Sequence, residues 1–200
     1  AIYSSTKTIE KLHKAEKDKS IKAIILRINS PGGAVGPTQE IYEEVIRIDQ
    51  VKPVYASFES VAASGGYYLG AATRKIFTNA GAITGSIGVI MQFMDLSKLY
   101  EFAKLNPQPM KAGKYKDIGS PHRPLNEEEK SLLSSTMTVV HKQFKNDILK
   151  RRKDKLKSDI EELAQGQIFS GEEAVNLGLA DEVAGLWQAG RKIHTELGLK

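Results

Sequence analysis

The stretch SVAASGGYYLGAA at residues 60–72 sets two serines among small residues, and a second Gly-Gly turn, NSPGGAV at residues 29–35, lies upstream of it. A hydroxyl at a helix start in one turn and backbone N–H donors in the other are the parts that acyl transfer needs, a nucleophile and a cradle for the oxyanion. Around Ser64, the small residues Ala62, Ala63, Gly65 and Gly66 leave room for a substrate main chain. The first turn of the following helix would direct N–H groups and a positive dipole end at developing negative charge. Ser60 competes for the nucleophile's place, but it lacks flanking glycines and precedes a possible helix start, so an N-cap or turn role suits it better. Tight turning alone also asks for glycine at strand ends, so neither turn identifies the chemistry by itself.

A serine hydroxyl needs a base. Of the four histidines, His13, His141 and His194 lie in charged helical surroundings and read as surface residues, whereas His122 sits in a loop and is a candidate triad member. The same loop, MKAGKYKDIGS at residues 110–120, offers Lys111, Lys114 and Lys116. Lysine can deprotonate serine without a triad if its pKa falls from ~10.4 to about 7 or 8, which burial beside apolar groups with no carboxylate in contact would achieve. The chain has no cysteine, which excludes a thiol nucleophile and disulfides and leaves the redox compartment open.

These residues need a scaffold that turns sharply where they stand. IKAIILRI at 21–28 is a nearly continuous aliphatic run, the pattern of a parallel strand buried on both faces, and it follows a first helix marked by Ile9, Leu12 and Ala15. After NSPGG, Pro37 and Thr38 introduce a helix with Ile41, Val45 and Ile48 on one face. The unit repeats with a strand at 52–60, a turn at VAASGG and a helix through YYLGAATRK; further strands are expected at 75–79 and 86–93. A short helix at 95–105, capped by Asp95, leads into the Gly- and Pro-rich lysine loop. Asn126 and Glu129 have the spacing of a helix start, and Leu133, Met137, Val140, Phe144 and Ile148 continue that helix as a stripe. Ser170 with Glu173 opens another helix before Gly178, followed by a short strand at 181–183 and a last helix. Repeated βα units predict an α/β class in one domain over residues 1–200, with the site in turns at the carboxyl ends of parallel strands.

Composition agrees with a globular chain: 200 residues, 40% hydrophobic and 26% charged. No apolar run approaches membrane-spanning length and the first residues lack a signal-peptide core, so any anchor is expected outside these residues. The formal charge of +5 gathers at residues 142–157, with eight Lys or Arg against two Asp. Such a segment reads first as a solvated helix face or loop, then as a contact for anionic lipid; no nucleic-acid-reading motif accompanies it.

ESVAASGGYYL, RINSPGGAV, TGSIGVI, the KAGKYKDIGSPHRPL loop and FSGEEAVNLGLADEV together resemble the signal peptide peptidase A family, bacterial membrane-anchored serine proteases of the Clp protease and crotonase superfamily. The resemblance covers nearly all of residues 20–185. It implies a Clp protease/crotonase-like fold of repeated ββα units with mostly parallel strands. It also implies a Ser/Lys dyad, with Ser64 as nucleophile and Lys116, directly before Asp117, as general base. Gly33 first, then Gly32 and Gly65, would supply the oxyanion hole, and Ser86 would hydrogen-bond the lysine or serve only as a turn serine. Lys111 and Lys114 become surface or substrate contacts, and the Asp117 side chain is expected to turn away toward loop backbone. No cofactor or metal is implied. The implied partners are peptide substrates, remnant signal peptides or other unfolded apolar chains, and further copies in a homo-oligomeric ring, with the long helix from 126 or the basic segment near an interface. The implied location is the bacterial membrane, with the catalytic region extracytoplasmic. Two rivals share the fold: a crotonase-like acyl-CoA enzyme, which would give Ser64 and Lys116 no joint role, and a non-catalytic scaffold.

Overall fold

The computed structural model describes residues 1–199. They fall into two compact units, one formed by residues 1–88 together with those from Gln143 onward, the other by Val89–Lys142.

In the first unit, α1 (Thr6–Lys17), β1 (Ile24–Ser30), α2 (Val35–Asp49), β2 (Val54–Ala63), α3 (Gly65–Ala71), β3 (Lys75–Thr78) and β4 (Ile83–Gly85) follow in order. A six-stranded sheet is organised on β2, the longest strand. β1 pairs with β2 in parallel from Ile24↔Val54 to Ser30↔Ala62, with an irregularity after Ile28. Along β2, β3 pairs in parallel with the first half and β4 with the last three residues. After α6 (Ile160–Leu163), the sheet is completed by β5 (Ile168–Ser170), antiparallel to β4, and, beyond α7 (Gly171–Asn176), by β6 (Glu182–Val183), parallel to β3. α8 (Leu186–Glu196) ends the described fold.

Alternation along β2 builds two cores. Val54, Ala56 and Phe58 join Ile41, Val45, Ile48, Leu69 and Ile76 on one face, and Tyr55 joins Phe77, Ala189 and Ile193 on the other. Covered faces are what parallel strands require, and they account for the aliphatic run in β1. β1 is nonetheless only half-buried over Ile24–Leu26, because its outer edge borders an open groove of about 490 Å³ lined in part by Leu12 and Leu69.

Several sequence expectations change. The strand expected at 86–93 is replaced by the three-residue β4 ending at Gly85, because Gly85 and Ser86 adopt φ of 81° and 49° and turn the chain off the sheet. β2 runs on to Ala63, so Ser60 is an exposed strand residue and neither caps nor turns. His13 is half-buried against Glu44, and His141 is half-buried as well.

The second unit holds α4 (Ser97–Phe102), the lysine loop and the start of α5 (Glu127–Arg152). Asn126 Oδ1 accepts from the Glu129 N–H at 2.8 Å while the Glu129 carboxylate accepts from the Asn126 N–H at 3.0 Å, the reciprocal start expected from the spacing.

The basic segment at the end of α5 is not a free cationic face. Five of its eight cations are paired: Lys145 with Glu161, Lys150 with Asp147, Arg151 with Asp49, and Arg152 and Lys155 with Asp181. Arg152 is 1% exposed and donates to the Gly178 carbonyl at 2.7 and 3.0 Å and to Asp181 at 2.8 Å. Burial pushes the Asp181 carboxyl up, but hydrogen bonds from Arg152, Lys155 and the Ile76 N–H outweigh it and hold it below its ordinary value. Asp49 follows the same pattern, with Arg74, the Val54 N–H and Arg151 as the donors that outweigh burial. Depressed carboxyls stabilise the fold above their unfolded value near ~3.9, and that contribution is lost as pH falls through the folded values. Acid titration should therefore show stability flat above pH ~5 and falling below ~4. Removing the partner of buried Arg152 with Asp181→Ala should cost about 3 kcal/mol in denaturant unfolding, and an unchanged midpoint would refute that role.

Candidate active site

Because β1, β2 and β4 are adjacent and parallel, their carboxyl ends lie side by side; β1 and β2 end in the two Gly-Gly turns singled out in the sequence, and β4 ends in a third turn at Gly85 and Ser86, where the sequence suggested a strand. After β1 come Gly32 and Gly33, after β2 comes Ser64, and after β4 comes Ser86. The Ser64 N–H donates to the Gly85 carbonyl at 2.8 Å, which joins the second turn to the third. The first turn meets the second just as closely. A Cβ added to Gly32, whose φ is 110°, would lie 2.9 Å from both Gly65 N and Ser64 Cβ, and one added to Gly65 would lie 3.4 Å from Gly33 N. The structure thus gathers Gly32, Gly33, Ser64, Gly65 and Ser86 at one place.

Each turn is locally fixed. Ser30 Oγ accepts from the Gly32 N–H and donates to the Gly32 carbonyl, both at 3.2 Å. On the far side Ile2 brackets Gly33 in a parallel bridge, its N–H donating to the Gly32 carbonyl at 2.8 Å and its carbonyl accepting from the Ala34 N–H at 2.7 Å. A side chain at Gly33 would collide with the Ile2 carbonyl, so only glycine fits there. This bracket uses the N–H of Ala34 and leaves that of Gly33 without a partner among the described residues. The Gly65 N–H, at the first position of α3, is likewise without one. Two unspent donors therefore flank the half-buried Ser64.

Ser64 adopts φ 52° and ψ −118°, a backbone state that costs a non-glycine residue about 1–3 kcal/mol. Its side chain makes no cap hydrogen bond, although the residue occupies the N-cap position of α3. Two tyrosines of α3 anchor the helix and so hold the strain in place. The Tyr67 hydroxyl donates to the Leu179 carbonyl at 3.0 Å, and the Tyr68 hydroxyl donates to Asp147 on α5, with its ring stacked 4.4 Å from Phe144. Burial raises the pKa of both phenols, so they remain neutral donors. Neither anchor is singled out by the sequence, where the two tyrosines read only as helix content. Thr38 is read there only as a helix start; it is buried beside Gly65 and its hydroxyl donates to the Ala34 carbonyl at 2.8 Å.

Lys116 belongs to the second unit. Its loop closes in short turns, with Lys116 N–H to the Gly113 carbonyl at 3.2 Å and Ser120 N–H to the Asp117 carbonyl at 3.0 Å. Lys111 is paired with Asp117, and Lys114 is paired with Glu128, which also accepts from Tyr115. The Lys116 ammonium has no such carboxylate partner among the described residues and is exposed, so the burial asked of a neutral amine is not supplied within this unit. The Asp117 carboxylate is taken by the Arg123 and Lys111 side chains, not by loop backbone as the sequence suggested. The Arg123 guanidinium holds the Glu129 carboxyl at about 2 and, with Lys111, holds that of Asp117 well below the usual carboxylate range. His122 Nδ1 shares a 2.6 Å hydrogen bond with Ser120 Oγ, a contact that makes no carboxylate–histidine pair.

Replacing Ser64 by glycine removes both the hydroxyl and the strain. Ser64→Gly should raise unfolding stability by about 1 kcal/mol, whereas Ser64→Ala should not. Equal stabilities would mean that the turn is not strained.

The amino-acid sequence has counterparts among known proteins. Peptidase family S49 matches residues 46–200 and Clp protease matches residues 3–83. An Enterococcus faecium protein provisionally named signal peptide peptidase SppA is 35% identical over 182 residues, 90% of this chain and 53% of its own. The Arabidopsis thaliana protein named Serine protease SPPA, chloroplastic, is 37% identical over 182 residues, 90% of this chain and 27% of its own. Protease 4 of Haemophilus influenzae is 30% identical over 182 residues, 90% of this chain and 29% of its own. The chain spans about half the length of the Enterococcus relative and less of the other two. The mixed α/β sheet with mostly parallel strands and the Clp protease match identify the fold as Clp protease/crotonase-like. With a family match that takes in the serine turn, the lysine loop and the last strand, the chain belongs to peptidase family S49.

Proposed function

We propose that the chain is the catalytic region of a serine endopeptidase that cleaves remnant signal peptides or other unfolded apolar peptides at the membrane, with Ser64 as nucleophile and Lys116 as general base. The observation that carries this reading is the strained Ser64 between two unspent N–H donors, Gly33 and Gly65. In this mechanism the neutral Lys116 amine takes the Ser64 Oγ proton as Oγ attacks the scissile carbonyl carbon. The oxyanion is received by the Gly33 and Gly65 N–H groups, with Gly32 supplying the φ that aims the first of them. The ammonium then protonates the departing amine, and the acyl-enzyme is hydrolysed by a water that Lys116 deprotonates in turn. Ser86, next to the carbonyl that holds Ser64, is the supporting hydroxyl for the lysine.

Lys116 is the lysine of its loop that no carboxylate claims among the described residues, which supports its choice over Lys111 and Lys114. Because it is exposed in a single chain, we infer that its desolvation comes with substrate or with a second copy in a homo-oligomeric ring. Exposed Ile90, Met94, Phe102 and Met110 in the second unit offer apolar surface for such contacts. Among the described residues no helix is long and apolar enough to cross a membrane, so membrane attachment in this reading comes from a segment outside them, with the catalytic region on the extracytoplasmic side.

In a peptide-hydrolysis assay, Ser64→Ala and Lys116→Ala should each lower kcat by at least ~10³-fold, while Lys114→Ala and His122→Ala keep turnover within about threefold. Loss of turnover in His122→Ala with Lys116→Ala still active would overturn the dyad. A fluorophosphonate should modify Ser64, and modification of Ser60 instead would overturn the nucleophile.

A further inference from the structure

The loop that carries Lys116 has a fastening that the catalytic reading does not use. Arg123 reaches two carboxylates at once. Its Nε and Nη2 donate to Asp117 at 3.1 and 2.9 Å, and its Nη1 and Nη2 donate to Glu129 at 2.8 and 2.6 Å. Glu129 is itself 2% exposed and locked into the start of α5 by its exchange of hydrogen bonds with Asn126. Asp117 is therefore held both by Lys111 and by a guanidinium anchored to a helix. Lys114 and Tyr115 of the loop both pair with Glu128 in the first turn of α5, which leaves Lys116 as the lysine of the loop without a carboxylate among the described residues.

Asp117 is the immediate neighbour of Lys116, and its placement bears on the amine. A carboxylate free to swing toward an amine favours the ammonium form, the wrong form for a base. A planar, always-charged guanidinium is suited to bridging two carboxylates in fixed geometry; a lysine at the same place would supply the charge that holds Asp117 but not the second bridge to Glu129 that ties the loop to α5.

We propose that Arg123 is a positioning residue for the general base: by clamping Asp117 to Glu129 it keeps the neighbouring carboxylate off Lys116 and ties the loop that bears the amine to the start of α5. This inference rests on the reading of Lys116 as base, and the two can fail separately.

The test is the pH–rate profile of peptide hydrolysis by the folded chain, with circular dichroism to confirm folding of each variant. Arg123→Gln should lower kcat at neutral pH by about tenfold or more, leave KM within about twofold, and move the acid limb of the profile up by about one pH unit. Adding Asp117→Asn to Arg123→Gln should bring the limb back to its wild-type position, which a merely structural role for Arg123 would not do. Arg123→Lys should keep the limb near wild type while losing part of kcat, and it serves as the decisive variant if Arg123→Gln does not fold. A wild-type profile in Arg123→Gln, a limb that stays displaced in the double variant, or a displaced limb in Arg123→Lys would each overturn the proposal while Lys116→Ala remains inactive. Full turnover in Lys116→Ala would overturn the base assignment and this inference with it.

Discussion

Parallel pairing of β1, β2 and β4 is the constraint on which the candidate site depends. Parallel neighbours end at the same edge of a sheet, so turns far apart in sequence arrive together without a dedicated loop between them. The hydrogen bond from the Ser64 N–H to the Gly85 carbonyl and the close approach of Gly32 to Ser64 depend on that register. A slip in the β1–β2 register would carry the Gly33 donor away from Ser64 and Gly65, which are chain neighbours and move together.

A site built this way stores strain, and the surrounding packing has to hold it. Positive φ occurs at Gly32, Ser64, Gly85 and Ser86, four residues within one small region. The restraint comes from the helix that Ser64 begins. With seven residues, α3 is too short to be stable by its own propensity, and it is fastened by Tyr67 to the Leu179 carbonyl and by Tyr68 to Asp147 and Phe144. The neighbouring end of α5 is fastened in turn by the buried pair of Arg152 with Asp181. Of the eight cations that read in sequence as a solvated helix face or loop, Arg151, Arg152 and Lys155 are spent on Asp49 and Asp181 in holding this frame.

The two Gly-Gly turns were legible in the sequence because glycine pairs at the ends of aliphatic runs have few physical explanations, and the reciprocal helix starts of Asn126 with Glu129 and of Ser170 with Glu173 were legible because capping acts over four consecutive residues. The features that escaped it depend on distance in space. SIGVIMQF has the composition of a strand, yet the positive φ of Ser86 sends it off the sheet, and Ile90 and Met91 end up exposed. Ser60 looked like a turn residue because the point where β2 stops is set by its pairing with β4, which local composition does not encode. Arg123 gave no signal at all, since nothing in PHRPLNEEE says that one guanidinium will span carboxylates six residues to either side.

Attack by Ser64, with Gly33 and Gly65 receiving the oxyanion, is tested most directly by a crystal structure of the chain with a peptide boronic acid, whose tetrahedral adduct imitates the intermediate. Boron should be bonded to Ser64 Oγ, with one boronate oxygen about 2.7–3.1 Å from both the Gly33 and Gly65 nitrogens. Boron on another hydroxyl, or an adduct on Ser64 whose oxygens both point away from Gly33, would contradict that assignment.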